Sequence, residues 1–261
     1  MLKNSVPDCL KALASIFSPF APLYIVGGAV RNSLLDYPVS DFDIASDLLA
    51  EKVEELLDGS NFQIVASYKR TGTLVIKCKQ YKFEYTTFRQ DSYPLKSGIH
   101  TPSKCIFTKD MQTDALRRDF TCNSLYYDIM QDKIIDLTGG QQDIKNKILR
   151  TVREPNQTLS EDALRIMRLV RFAVELGFEI ERQTFEAAKE YASGLQEISK
   201  ERIKDELVAI FNAVFKYNSK SLGVKPSDGI RLLVDIGAMK YILPEVLDMI
   251  NVPQNPKFHI Y

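Results

Sequence analysis

An α+β fold, with a mixed sheet in the first half of the chain and an all-helical second half, follows from two features of the sequence. Short β-branched or aromatic runs, separated by glycine or polar turns, crowd residues 1–138. Beyond Gly139 and Gly140 the apolar residues recur at i, i+3, i+4 and i+7 instead. The expected division is a first domain over 1–138 and a second over 139–261.

In the first half the expected strands are Leu23 to Val26, Ser40 to Ala45, Phe62 to Tyr68, Thr73 to Lys79 and Tyr81 to Phe88. Ala29 to Leu35 and Asp47 to Leu57 carry helical spacing, and Leu125 to Leu137 reads as a hairpin turning near Gln131 and Asp132. In the second half Ile166, Leu169, Val170 and Ala173 mark one helix; Ile203, Leu207, Ile210 and Phe211 mark another. Ser160 and Ser199 are expected N-caps, each with acidic residues in the following turn, and Gly177 an expected helix stop.

The 261 residues suffice for one large domain or two small ones. Their 34 Lys+Arg balance 34 Asp+Glu, so any contact with nucleic acid must come from a local patch. Cys9, Cys78, Cys105 and Cys122 are scattered without a CxxC pair, which argues against a disulfide framework or a zinc site. His100 and His259 are the only histidines, so a bound metal is expected to be a hard ion with oxygen ligands. There is no secretory leader pattern and no apolar run long enough to cross a bilayer. A soluble cytoplasmic protein with no membrane partner is expected.

In Ser40-Asp41-Phe42-Asp43-Ile44-Ala45, strand alternation puts Phe42 and Ile44 on one face and Asp41 and Asp43 on the other. Cα atoms two residues apart lie about 6.5 to 7 Å from each other. Two such carboxylates converge on cations roughly 3.5 to 4 Å apart. Alone, a DxD on a strand more often marks a solvated edge, and the context decides. Upstream, Tyr24-Ile25-Val26-Gly27-Gly28-Ala29-Val30-Arg31 runs from an apolar strand through two glycines into a helix bearing an arginine, a place where backbone amides approach a triphosphate closely. Glu84, alternating with Phe83 and Tyr85, is either a third metal ligand, the acceptor of a hydroxyl proton, or an exposed strand glutamate. Downstream, Asp162, Arg165, Arg168 and Arg171 recur in steps of three on a helix expected to begin near Ser160. They form a polar stripe, either a solvated face or a base-reading surface. A carboxylate accepts from the exocyclic amino group of cytosine or adenine, and an arginine donates to ring acceptors.

These segments, with Leu116-Arg117-Arg118-Asp119-Phe120-Thr121-Cys122-Asn123 and Glu161-Asp162-Ala163-Leu164-Arg165, closely resemble the tRNA nucleotidyltransferase and poly(A) polymerase family over nearly the whole chain. Thr71-Gly72-Thr73 and Thr87-Phe88-Arg89 are similar to its CCA-adding, class II branch. The resemblance implies a polymerase-β-like nucleotidyltransferase domain followed by a helical domain that selects nucleotides and binds RNA. It further implies template-independent transfer from CTP and ATP to the 3′ end of tRNA by a two-metal mechanism. Asp41 and Asp43 would bind Mg²⁺; Gly28 and Arg31 would contact the triphosphate; Arg118 with Asp119 and Asn123 would position the sugar. Asp162 and Arg165 would read the base, with Arg168 and Arg171 supporting the nucleotide or its phosphates. Asn32, His100 and Ser124 depart from the family pattern, which more often has aspartate, arginine and alanine there. Family members usually continue beyond Tyr261, so a missing tail is expected. The rival readings are a poly(A) polymerase, a specialised CC-adding or A-adding enzyme, and an RNA-binding module whose catalysis has decayed.

Overall fold

The structure, a computed structural model, describes residues 2–93, 102–217, 225–250 and 252–253. His100, His259 and residues 254–261 lie outside the described residues.

Helix α1 (Asp8–Phe17) presents Leu10, Leu13, Ala14 and Phe17 to the interior, where Phe17 meets Tyr85 of the sheet at 5.7 Å between ring centroids. The strands of the first half are β1 (Tyr24–Val26), β2 (Phe42–Ser46), β3 (Gln63–Tyr68), β4 (Thr73–Cys78), β5 (Tyr81–Thr87), β6 (Arg89–Ser92), β7 (Lys104–Phe107), β8 (Leu125–Asp128) and β9 (Lys133–Asp136). Between them lie α2 (Gly28–Leu34), α3 (Ala50–Leu57) and α4 (Met111–Leu116). Seven strands form one mixed sheet in the order β3-β4-β5-β2-β1-β8-β9, in which only β2 and β5 run parallel. That pairing places Asp43 beside Glu84 on one side, and β1 places Val26 beside it on the other. The expected hairpin at residues 125–137 is β8–β9, with Asp132 in the left-handed region at φ 53°.

The separate β6–β7 hairpin was not expected. Arg89-Gln90-Asp91-Ser92 has no apolar alternation to announce a strand; within it Arg89 Nε donates to Asp91 at 2.8 Å.

The second half contains α5 (Gly140–Asn146), α6 (Pro155–Glu161), α7 (Leu164–Leu176), α8 (Arg182–Tyr191), α9 (Lys200–Lys216), α10 (Pro226–Asp235), α11 (Met239–Ile242) and α12 (Glu245–Asp248). A two-residue parallel pair, β10 (Ile148–Leu149) with β11 (Glu179–Ile180), is its only sheet among the described residues. Gly177 ends α7 at φ 64°, and Ser199 caps α9 by accepting from the Arg202 amide at 3.5 Å. Ser160 is not a cap: it lies inside α6, and its hydroxyl donates to the Gln157 carbonyl. The helix expected from Ser160 is broken at Asp162, whose backbone is extended at φ −146° and whose Oδ1 accepts from the Leu164 amide at the start of α7. Asp162 therefore heads the helix rather than riding on it.

A continuous apolar core runs from Leu10 and Ile25 through Phe120 to Leu169 and Leu233. Helix α7 is its centre, buried against α9 and α10 on one side and, through Phe172 against Phe120, against the sheet half on the other. Ser124 stays in this interior by donating its hydroxyl to the Ala115 carbonyl at 2.9 Å. Among the described residues no helix is long and apolar enough to cross a membrane.

Gly229 sets the approach of α10 to α7 and α9, because a Cβ there would collide with Cγ2 of Ile210 and lie 3.2 Å from Cγ2 of Val174. Gly229→Ala gains about 1 kcal/mol of helix propensity. It loses about 1–3 kcal/mol by overpacking against two β-branched side chains. The expected outcome is a lower urea midpoint; a raised midpoint would mean that the contact has slack.

Candidate active site

The chain leaves β1 through Gly27, whose φ of 69° and ψ of −129° suit glycine alone. Gly27 and Gly28 thus present bare backbone to a cleft of about 550 Å³ between the sheet and α7. Gly28, Arg31, Asp43, Glu84, Arg118, Asp119, Asn123, Asp162, Arg165, Arg168 and Arg171 all line it. Asp41 does not. It lies just ahead of β2, exposed, and lines an adjoining concavity of about 200 Å³ that shares Gly28, Arg31 and Asp43 with the main cleft.

The alternation of β2 is as expected, with Phe42 and Ile44 buried and Asp41 and Asp43 exposed. Asp43 touches solvent, yet the cleft walls desolvate its carboxyl, and this with the neighbouring Glu84 pushes its pKa upward; Arg118 counters only in part. The pair is chemically fit for a hard cation, being anionic oxygen donors under mutual repulsion. Among the described residues no three His, Cys, Asp or Glu side chains converge as a metal cluster. Two carboxylates with phosphate and water oxygens are the usual surroundings of Mg²⁺.

On the opposite wall, arginines are held by two buried carboxylates, Asp119, which the sequence singled out, and Asp114, which it did not. Asp114 accepts from Arg117 Nε at 2.7 Å, Arg118 Nη2 at 3.1 Å, the Tyr126 hydroxyl at 2.6 Å and the Arg89 amide at 3.2 Å. Burial opposes its ionisation, but Arg117 and Arg118 outweigh burial and hold the carboxyl at about 2. Asp119 accepts from Arg168 Nε at 2.8 Å, the Phe120 amide at 2.7 Å and Asn123 Nδ2 at 3.3 Å. It too is opposed by burial and held at about 2, chiefly by Arg168.

Arg165, Arg168 and Arg171 form no solvated stripe. Arg165 is buried and donates to the carbonyls of Thr158 at 2.8 Å and Arg117 at 3.0 Å, and to the Tyr93 hydroxyl at 3.2 Å. Arg171 Nε meets Glu206 at 2.9 Å, an ion pair without hydrogen-bond alignment. Arg31, Arg168 and Arg171 surround one ring, Phe172, at 5.1, 5.4 and 4.4 Å from its centroid. Lys216 and Arg202 of α9 also line the cleft; they pair with Glu175 at 3.1 Å and Asp162 at 3.7 Å. Glu175 and Glu206 carry no local sequence signature, because each is an ordinary charged residue brought beside its cation by helix packing.

The sequence profile described as "Poly A polymerase head domain" matches residues 23–150, and that described as "Probable RNA and SrmB- binding site of polymerase A" matches residues 177–215. A CCA-adding enzyme of Ligilactobacillus salivarius (strain UCC118) is 35% identical over 245 residues, covering 92% of this chain and 56% of the relative. One of Lactobacillus helveticus (strain DPC 4571) is 40% identical over 185 residues, covering 71% of this chain and 45% of the relative. Among solved structures, the Bacillus stearothermophilus CCA-adding enzyme in complex with CTP superposes with a TM-score of 0.77 at 32% identity, over 91% of this chain and 54% of that one. The chain spans about half the length of the curated relatives it matches.

The depressed carboxyl of Asp119 sets a pH signature. Its folded pKa lies below the unfolded value of about 3.9, so its contribution to stability is complete above about pH 5 and is lost as the pH falls through about 2. Asp119→Asn is expected to cost about 3 kcal/mol near neutral pH by leaving Arg168 without its partner. In urea titrations the gap between variant and wild type is expected to narrow as the pH drops from about 4 toward 2. A gap that stays constant would locate the stabilisation elsewhere than in the charge.

Proposed function

The chain belongs to the tRNA nucleotidyltransferase and poly(A) polymerase family, and from that membership we propose that it transfers nucleotides from CTP and ATP to the 3′ end of tRNA, building or repairing CCA. The observation that carries this reading is a single cleft bordered by the β2 carboxylate Asp43, with Asp41 beside it, and by Asp162 and Arg165 at α7. Chemistry and base selection then share one bound nucleotide. The CTP complex of the Bacillus stearothermophilus relative supports a pyrimidine substrate. In this reading residues 1–138 catalyse, and residues 139–261 select the nucleotide and contact RNA.

The reaction is attack of the RNA 3′ hydroxyl on the α-phosphorus. A new P–O bond forms, the bond to the bridging oxygen breaks, and pyrophosphate departs. Asp41 and Asp43 would hold Mg²⁺, which when bound stabilises charge on the attacking and departing oxygens. Glu84, next to Asp43, adds negative charge that strengthens the demand for a cation. The bare turn at Gly27 and Gly28 lets the phosphates approach the backbone, while Arg31 and Arg118 supply charge-assisted donors to them. Asp119 and Asn123, already oriented by Arg168 and Arg31, flank the sugar.

Asp162 accepts from the exocyclic amino group that cytosine and adenine share, whereas uracil and guanine would set a keto oxygen against it. That mismatch costs a few kcal/mol. Arg165 already spends both Nη groups on protein acceptors, which fixes the guanidinium plane and leaves Nε for the base.

Asp41→Asn is expected to lower turnover by about 10³-fold, roughly 4 kcal/mol of transition-state stabilisation, with the melting temperature unchanged. The assay supplies Mg²⁺, each labelled nucleoside triphosphate in turn, and tRNA ending before, within or after CCA. Arrest at CCA supports the proposal; a long A tail, addition of CC alone, or no incorporation would replace it by one of the rival readings. Full activity of Asp41→Asn would remove Asp41 from the mechanism.

A further inference from the structure

Nine cationic side chains, eight arginines and Lys216, line the cleft. Eight of them have a carboxylate within ion-pair distance: Arg89 with Asp91, Arg117 and Arg118 with Asp114, Arg165 with Glu161, Arg168 with Asp119, Arg171 with Glu206, Arg202 with Asp162 and Lys216 with Glu175. Arg31 has none among the described residues, although it is only 3% exposed. Its donors all go to neutral oxygens: Nε and Nη2 to Asn32 Oδ1 at 3.2 and 2.8 Å, Nη1 to Asn123 Oδ1 at 2.5 Å, and Nη2 to the Tyr217 hydroxyl at 3.2 Å. These four bonds engage Nε, both N–H groups of Nη2 and one of Nη1, and the Phe172 ring lies 5.1 Å from Cζ, but among the described residues the charge finds no counter-charge.

The residue that makes this possible is Asn32. It takes the forked position on Arg31 that a carboxylate ordinarily occupies. Its amide orientation is fixed from the far side, where Nδ2 donates to the Pro38 carbonyl at 3.2 Å and to the Tyr217 hydroxyl at 3.3 Å. Oδ1 must therefore face the guanidinium. A carboxylate in its place would neutralise Arg31 and set its second oxygen against the Pro38 carbonyl.

We infer that Asn32 is a positioning residue that orients Arg31 while leaving its charge uncompensated, so that the polyphosphate of an incoming nucleotide becomes its counter-ion. This rests on the reading of the cleft as a nucleoside triphosphate site. Arg31 borders both the main cleft and the concavity beside Asp41, with Lys216 alongside, so the phosphates nearest Asp41 are the ones it would hold. Burying an unpaired charge disfavours the ligand-free state, and an anion relieves that cost on binding.

The test measures binding of inorganic tripolyphosphate by calorimetry, and CTP kinetics, for wild type, Asn32→Asp and Asn32→Ala, with melting curves to verify folding. Asn32→Asp is expected to weaken tripolyphosphate binding about tenfold, equivalent to about 1.4 kcal/mol, and to raise KM for CTP with the ratio of CTP to ATP use unchanged. Asn32→Ala, which keeps the bare charge, is expected to lose less than Asn32→Asp. The inverse order, with alanine the weaker binder, would mean that Asn32 acts through shape and would overturn the inference. So would wild-type affinity in Asn32→Asp, or failure of the wild type to bind tripolyphosphate. If the expected order is found but no triphosphate is incorporated into RNA, the inference stands and the proposed reaction falls.

Discussion

Asp119 is bonded on both sides of the cleft at once. One oxygen takes the forked guanidinium of Arg168 from α7; the other takes the Phe120 amide and the side-chain amide of Asn123. Asn123 then turns its own oxygen to Arg31 on α2. The relay Arg168–Asp119–Asn123–Arg31 crosses from the helical half to the sheet half with each polar group fixed in direction, and all but Arg168 are nearly buried. A second tie, Arg165 to the Arg117 carbonyl, runs alongside. The width of the cleft is therefore set by the junction between the halves and not by either half alone.

Collecting nine cations around one cavity is an electrostatic problem, and the buried carboxylates solve most of it. At close range and partial burial, like charges repel by several kcal/mol unless each has a partner. The Phe172 ring orients three guanidinium groups without cancelling their charge. Two imbalances remain. Among the described residues Arg31 has no carboxylate partner, and across the glycine turn Asp41, Asp43 and Glu84 make no ion pair with a cation. A cation bound to a polyphosphate complements both at once, which is why a metal–nucleotide complex suits this cleft better than either component alone.

Much of this was legible in the sequence, for identifiable reasons. The Phe42 and Ile44 alternation is a local property of one strand, so the exposure of Asp41 and Asp43 could be read directly. Gly27 and the Arg117-Arg118-Asp119 run were likewise visible as chemistry in adjacent residues. What escaped was made by tertiary contact. The break between α6 and α7 falls in a stretch whose apolar spacing is continuous, and it is fixed by Asp162 bonding to Leu164. Asp114, Glu175 and Glu206 look like any other acids until packing buries them beside arginines. Asn32 was visible only as an unusual residue; its effect depends on Pro38 and on Tyr217, 185 positions away.

The placement of Asp162 in that break bears on the proposed base selection. On a helix surface an aspartate side chain is free to swing among rotamers, and its hydrogen-bond direction is poorly defined. Here one oxygen is committed to the first turn of α7, so the carboxylate is aimed by the backbone itself. Arg165, one turn on, is clamped between the Thr158 carbonyl of α6 and the Arg117 carbonyl of the sheet half. In the proposed role of base reader, such a pair could not adapt to a wrong edge by rotating, because rotation would undo a helix start or the tie across the cleft. Under that proposal discrimination would come from unsatisfied groups facing a rigid frame, the condition under which hydrogen-bond mismatches cost most.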